Sequence, residues 1–328
     1  MLLDIGITTD LSLVPDRVSE LAEAGFDGVF TAEASRDVFA PLVLAAEHSD
    51  LFCYTNIALA FPRSPMLLAC TGWDLQRYSK GKMALGLGSQ IKPHIEKRYS
   101  SVWERPVAQM REVIESIKTI FDCWSEGSDL NYQGEFYKFS LMTPIFVPDP
   151  MQWKPPPIWL AALGPLMTKM AGELSDGVLI HPFSSRKFLD EVTIPALSEG
   201  AIKTGRKDKP KLIPNAIICT YRSDEEHEKA MNHATGMEDY YTDLYTPEVR
   251  SALERSIRKE DYTQQGYETF IDNKAREYAK KMVPLHEKAY QAALRVDKNP
   301  EAFDNFIKVN DGIPDTRVGA TMKGIVNM

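Results

Sequence analysis

Apolar and polar positions along this chain change period repeatedly, from short near-continuous hydrophobic runs to helical spacing and back. Leu2 to Thr8, Phe26 to Ala32, Tyr54 to Phe61 and Lys82 to Leu87 are β-branched or apolar runs too short for helices, and they read as strands. Between them, Val14 to Ala24, Ala40 to Ser49 and Met66 to Tyr78 carry apolar residues at helical spacing. Pro62 and Pro65 close the third run, because proline removes a backbone donor and disfavours helical geometry in the residue before it. Pro65 then suits the first turn of a helix, and Gly81 ends that helix. Every helix separates two strands, so the strands pair in parallel through right-handed crossovers and helices cover the sheet.

Further along, Arg105 to Trp124 is a helix with Val113, Ile114, Ile117, Ile120 and Phe121 on its apolar side. The segment LNYQGEFYKFSL, Leu130 to Leu141, alternates around Gly134 and reads as an inserted hairpin; Pro144 to Pro157 is an irregular loop. Alternation resumes with strand Ile158 to Ala161, helix Pro165 to Ser175, strand Gly177 to His181, helix Ser185 to Thr204 and strand Leu212 to Tyr221. That makes seven strands. After Asp224 the chain becomes charged and helix-favouring, as in Pro247 to Lys259 and Gln265 to Val296. Val318 to Val326 is the one remaining candidate for an eighth strand, and Gly319 and Gly324 count against it. The expected architecture is α/β: a (β/α)8 TIM-type barrel with a hairpin inserted after the fourth helix and an atypical helical C-terminal region. Residues 1–222 hold the first seven strands, and 223–328 complete or cover the barrel. A chain of 328 residues suits one such barrel, which takes about 250 residues before insertions.

Composition narrows the partners. Hydrophobic residues make up 44% and charged residues 26%, an ordinary globular balance, and the net charge of −8 argues against a nucleic-acid surface. A small-molecule partner is the expectation. Cys53, Cys70, Cys123 and Cys219 are scattered without paired spacing, which points to free thiols in a reducing compartment and to no zinc site. The chain opens directly on a strand and no run reaches membrane-spanning length, so the expected location is the cytoplasm.

In a parallel α/β protein, ligands bind at the carboxyl ends of the strands, and several candidates fall there. Gly86, Gly88 and Ser89 end the fourth strand; Ala162, Leu163 and Gly164 precede the helix from Pro165. Either segment can turn free amides toward a phosphate, although a glycine after a strand is most often only a turn. Glu33 leaves the second strand in FTAEAS and can hydrogen-bond a cofactor or substrate; a solvated loop acid or a helix cap is the plainer alternative. Thr8 ends the first strand in the same way. Of the six histidines, His94 and His181 follow strands, where an imidazole can act as acid or base, or simply as a structural hydrogen-bonder. No histidine pair has metal-ligand spacing. Arg63, Lys92, Lys97 and Arg98 offer positive charge near the same end, which an ordinary solvated surface also explains.

The segments FDGVFTAEASRDVFAPLVLAAEHS, NIALAFPRSPMLLACTGWDLQRYSKGKMALGLGSQIKPHIEKR, YQGEFYKFSLMTPIF and PPPIWLAALGPLMTKMAGELSDGVLIHPF resemble the bacterial luciferase-like superfamily, and within it the branch using coenzyme F420. The resemblance covers about residues 1–222. It implies a flavin-like ring lying at the carboxyl ends of the strands of a TIM-type barrel. It also implies that Ala58 and Leu59 pack against that ring, in several members through a bulge with a cis peptide bond; an uninterrupted strand running into the proline loop is the alternative here. The implied activity is hydride transfer between bound coenzyme F420 and a small organic substrate, with Glu33, His94 or His181 handling the accompanying proton. A luciferase-like monooxygenase using flavin mononucleotide (FMN) and a non-catalytic flavin- or ligand-binding barrel are the alternatives. Homodimerisation is common in the resembled family and is the expected assembly.

Overall fold

The computed structural model describes residues 2–182, 184–218 and 317–322. Of these, 2–181, 190–215 and 317–321 build one compact unit, while 182, 184–189, 216–218 and 322 belong to a second. In the second unit, a short helix α6 (Arg186–Phe188) is capped by Ser185, whose Oγ accepts from the Phe188 amide at 3.1 Å.

The first unit is a closed parallel barrel. Its strands are β1 (Leu2–Gly6), β2 (Gly28–Thr31), β3 (Phe52–Thr55), a two-residue β4 (Ala58–Leu59) and β5 (Met83–Gly88). After the antiparallel pair β6 (Tyr132–Gln133) and β7 (Lys138–Phe139) follow β8 (Ile158–Ala161), β9 (Gly177–Ile180), β10 (Lys211–Ile218) and β11 (Arg317–Met322), the last two contributing their residues 211–215 and 317–321 to this unit. The hydrogen-bonded order runs β3-β2-β1-β11-β10-β9-β8-β5, and β5 pairs back onto β3. Eight strands therefore close the ring, with β4 attached to β5. The eighth strand overlaps the sequence candidate Val318 to Val326 but starts one residue before it, at Arg317, and Gly319 is paired with Asp4. The expected helices Pro247 to Lys259 and Gln265 to Val296 lie outside the described residues.

Helices α1 (Val14–Glu23), α2 (Ala40–His48), α3 (Pro65–Tyr78), α4 (Pro106–Glu126), α5 (Pro165–Leu174) and α7 (Ile194–Thr204) separate the strands. Strand alternation assigns the two sides. Ile5, Val29, Cys53 and Met83 face outward and pack with Val14, Val18 and Leu42 of the first two helices. Phe30, Tyr54, Ala84, Trp159, Leu179 and Ile213 come one each from six strands and form a single buried cluster, an arrangement possible only in the barrel lumen. Tyr54 meets Trp159 edge-on with ring centroids 5.0 Å apart. The lumen at this level is thus a packed core rather than a pore.

Two sequence expectations change in detail. Of the two alternatives for the third strand, the bulge is the one present: β3 stops at Thr55, the Asn56–Ile57 peptide is cis, and pairing resumes at β4, so the run Tyr54 to Phe61 is not one strand. The expected helix Ser185 to Thr204 is divided into α6, a wide π-type turn Leu189–Thr193, and α7. Pro195, in the first turn of α7, has no N–H to continue a regular ladder through that point. The inserted hairpin is where the alternation placed it. Its turn is held by α4, where the Glu112 carboxylate accepts from the amides of Glu135, Phe136 and Tyr137 at 2.8, 2.7 and 3.1 Å.

Candidate functional site

Parallel pairing puts the end of every barrel strand at one mouth, so the candidates Thr8, Glu33, Ala58, Leu59, Ser89, Ala162, Leu163, Gly164 and His181 belong to that end, together with the loop carrying His94. Thr8 and Gly164 are exposed, Ser89, Leu163 and His181 half-buried, and Ala58, Leu59 and Ala162 buried. Among the described residues no group of three or more potential metal ligands is assembled.

Glu33 is the most connected of them. One carboxylate oxygen accepts from Arg63 Nη1 at 2.7 Å and from the Leu59 amide at 2.8 Å; the other accepts from the Tyr99 hydroxyl at 3.2 Å. The Glu33 amide donates to the Ile57 carbonyl at 3.2 Å, and Arg63 Nη1 also reaches the Leu59 carbonyl at 3.0 Å. The side chain is only 5% exposed. Burial, followed by the neighbouring Glu33 charge, pushes the Tyr99 phenol above its ordinary pKa and keeps it a donor. Arg98 donates to the Ala34 carbonyl, and Ser101 Oγ donates to the Phe61 carbonyl at 3.0 Å. Three loops, after β2, after β4 and after β5, are therefore tied together around one carboxylate. Arg63 and Arg98 are committed within this network, whereas among the described residues Lys92 makes an exposed 3.7 Å pair with Glu96.

Gly86 and Gly88 have a packing reason to be glycine. A Cβ on Gly86 would stand 1.8 Å from the Thr55 carbonyl oxygen, and one on Gly88 would stand 2.0 Å from Ile57 Cδ1. The Gly86 amide donates to Thr55 Oγ1 at 2.9 Å and the Gly88 carbonyl accepts from Ala60 at 3.0 Å. These glycines let β3 and β4 lie against β5, and neither takes a positive φ. Gly164 differs. It is the N-cap of α5, and among the described residues a Cβ there would meet nothing within 4 Å beyond its chain neighbours and no side chain caps the helix. With Pro165 at the first position, the amides of Leu166 and Met167 open the helix without a cap.

His94 begins a π-type turn, His94–Arg98, whose closure by the Tyr99 amide onto the His94 carbonyl is 3.2 Å long. Its Nδ1 is buried and has no hydrogen-bond partner among the described residues. An orphaned imidazole nitrogen at a barrel mouth can serve a bound molecule.

Tyr99 and Ser101 were not singled out by the sequence, and neither were Asn56 and Asn215. Asn56 Nδ2 donates to Asn215 Oδ1 at 2.9 Å, and Asn215 Nδ2 donates to the Ile180 carbonyl at 3.0 Å. The two asparagines are 159 positions apart, a separation that periodicity does not bridge. For Tyr99, its place in HIEKRYS just after a strand end was the available signal.

Known proteins provide the context for this mouth. An uncharacterized protein of Mycobacterium tuberculosis (strain ATCC 25618 / H37Rv) is 44% identical over 255 residues, covering 77% of this chain and 74% of its own. A 5,10-methylenetetrahydromethanopterin reductase of Archaeoglobus fulgidus is 30% identical over 220 residues, covering 66% of this chain and 62% of its own. In fold, the chain is similar to an F420-dependent secondary alcohol dehydrogenase solved with an F420-acetone adduct: TM-score 0.62, 15% identity, 99% of this chain and 95% of that one. The sequence model described as luciferase-like monooxygenase matches residues 6–295, and this chain belongs to that family.

Proposed function

We propose that this chain is an oxidoreductase that transfers a hydride between bound coenzyme F420 and a small organic substrate carrying an alcohol, an activated double bond or a related redox centre. The observation that carries the reading is the pairing, at one barrel mouth, of an uncapped helix start at Gly164 with a buried, unpartnered His94 Nδ1. These features fit a phosphate-bearing ring cofactor: the first takes an anion through backbone amides, and the second meets a polar atom away from water. The similarity to the methylenetetrahydromethanopterin reductase and to the F420-dependent alcohol dehydrogenase favours the deazaflavin.

When bound, a deazaflavin supplies the hydride chemistry. The protein supplies placement. Residues Ala162 to Gly164 and the first turn of α5 hold the phosphate; Ser89 and Thr8 border the mouth. Ala58 and Leu59 form an apolar wall, kept in place because Glu33 binds the Leu59 amide and Arg63 together. The Glu33 carboxylate already accepts three hydrogen bonds, so we assign it to positioning that wall. His94, through Nδ1, takes or gives the proton that accompanies the hydride, and His181 stands at the same mouth as the second candidate.

The family description itself favours one second reading, a flavin mononucleotide-dependent monooxygenase on the same site. Titrating the purified chain separately with coenzyme F420 and FMN, following cofactor fluorescence, separates the two. Selective binding of F420 supports hydride transfer, selective binding of FMN moves the assignment to oxygen chemistry, and binding of neither overturns both.

A further inference from the structure

The lumen changes character at one level. Below it lie Tyr54, Trp159, Leu179 and Ile213, each at most 3% exposed. Above the last pairs of β3 and β9 lies the Asn56–Asn215 hydrogen bond. Around the closed ring, β3 and β10 are four strands apart in either direction, so this bond crosses the barrel along a diameter. It is anchored on the far side by the Ile180 carbonyl. A molecule entering from the mouth meets these two carboxamides before it meets the aromatic core.

Both asparagines are half-buried, and among the described residues the Asn56 side chain makes no hydrogen bond except the one to Asn215. Asn56 therefore keeps its carboxamide oxygen and one N–H, and Asn215 keeps its second N–H. Half-buried at the mouth, these free groups are open to a bound molecule that can replace the water they otherwise face. A carboxamide offers a donor and an acceptor side by side and carries no charge. Its natural complement is a neutral edge with a carbonyl next to an N–H, as in an imide.

We propose that the Asn56–Asn215 crossbar is the floor of the ligand chamber and recognises the imide edge of a pyrimidinedione ring. This rests on the reading that the mouth holds a flavin-type or deazaflavin-type ring, since both share that edge. The crossbar sets the depth and in-plane orientation of the ring, while the wall at Ala58–Leu59 supports its face.

The test uses the full-length chain and four probes: coenzyme F420, FMN, and the N3-methyl derivative of each, in which the imide N–H is replaced. The expected result is that the parent binds the methylated form of its preferred probe at least about tenfold more weakly. Asn215→Leu should weaken the unmethylated probe by a similar factor and lose the discrimination, while a single cooperative melting transition of the unliganded variant shows that it folds. Equal binding of methylated and unmethylated probes by the parent overturns the crossbar proposal and leaves the cofactor reading standing. Retained discrimination in Asn215→Leu also overturns it; should that variant not fold, Asn215→Ser is measured in the same way. Binding of neither chromophore by the parent overturns the cofactor reading and the crossbar together.

Discussion

The Glu33 carboxylate and the Arg63 guanidinium form a 2.7 Å ion pair whose members are 5% and 22% exposed, and the same carboxylate oxygen holds the Leu59 amide. The strand-end acid Glu33 thereby knots the loop after β2 to the short strand β4. Removing one partner from such a pair leaves a largely buried charge, which costs far more than an exposed pair contributes.

Arg63→Ala should therefore destabilise the fold by about 3 kcal/mol. In urea unfolding, the double variant Glu33→Gln/Arg63→Ala should recover part of that loss, because no unpaired carboxylate remains. Additive losses would show that the two residues do not act as a pair.

Gly86 and Gly88 look equivalent in the sequence LGLGS, yet their surroundings predict different outcomes. A methyl group on Gly86 collides with backbone at 1.8 Å, whereas on Gly88 it meets the far end of the Ile57 side chain, which can rotate. Gly86→Ala should cost about 3 kcal/mol and Gly88→Ala about 1 kcal/mol. Equal melting midpoints for the two variants would contradict the packing explanation.

Much of the barrel was legible because its signals are local. Pro62, Pro65 and Gly81 punctuate β4, α3 and β5, and the apolar runs between them need no distant partner to be read. The eighth strand was nearly hidden because Gly319, which counts against a strand taken alone, is tolerated where β1 pairs beside it. The break after Thr55 was not legible in the periodicity, since Tyr54 to Phe61 is uniformly apolar or β-branched apart from Asn56; the family resemblance alone offered a cis-peptide bulge there as one of two alternatives. At the site, the sequence located the mouth but not the commitments within it. That Glu33 meets Arg63 and Tyr99, and that Asn56 meets Asn215, depends on ring closure bringing together residues 30 to 159 positions apart.

Glu173 makes a pH prediction. It lies on α5 with a side chain only 4% exposed, paired with Arg111 of α4 and Lys203 of α7. Burial alone would raise its pKa, but the hydrogen bonds from Lys203 and Arg111 outweigh that and hold it below the ordinary glutamate value. A depressed carboxylate stabilises the fold fully above its unfolded pKa of about 4.5, and that stability is lost as pH falls through the folded value. The stability gap between parent and Glu173→Gln should thus be constant from pH 6 to 7 and shrink steadily below about pH 4.5. Urea midpoints across this range check it; a gap that widens on acidification would reverse the sign of the coupling.

Gly164 separates a binding role from a structural one more cleanly than any other residue at the mouth. It is exposed, its φ of −77° and ψ of 151° suit any residue, and among the described residues no atom beyond its chain neighbours lies within 4 Å of where its Cβ would be. Its backbone geometry is open to other residues, and because valine is a poorer N-cap than glycine, Gly164→Val should lower stability only modestly, by about 1 kcal/mol. If the first turn of α5 receives the cofactor phosphate, an added isopropyl group beside the Leu166 and Met167 amides obstructs that approach. Affinity for the preferred phosphate-bearing probe, F420 or FMN, should then fall about tenfold or more, while affinity for the same chromophore lacking its phosphate stays as in the parent. An equal loss with both forms would place the obstruction at the ring instead, and no loss with either would remove α5 from the binding site.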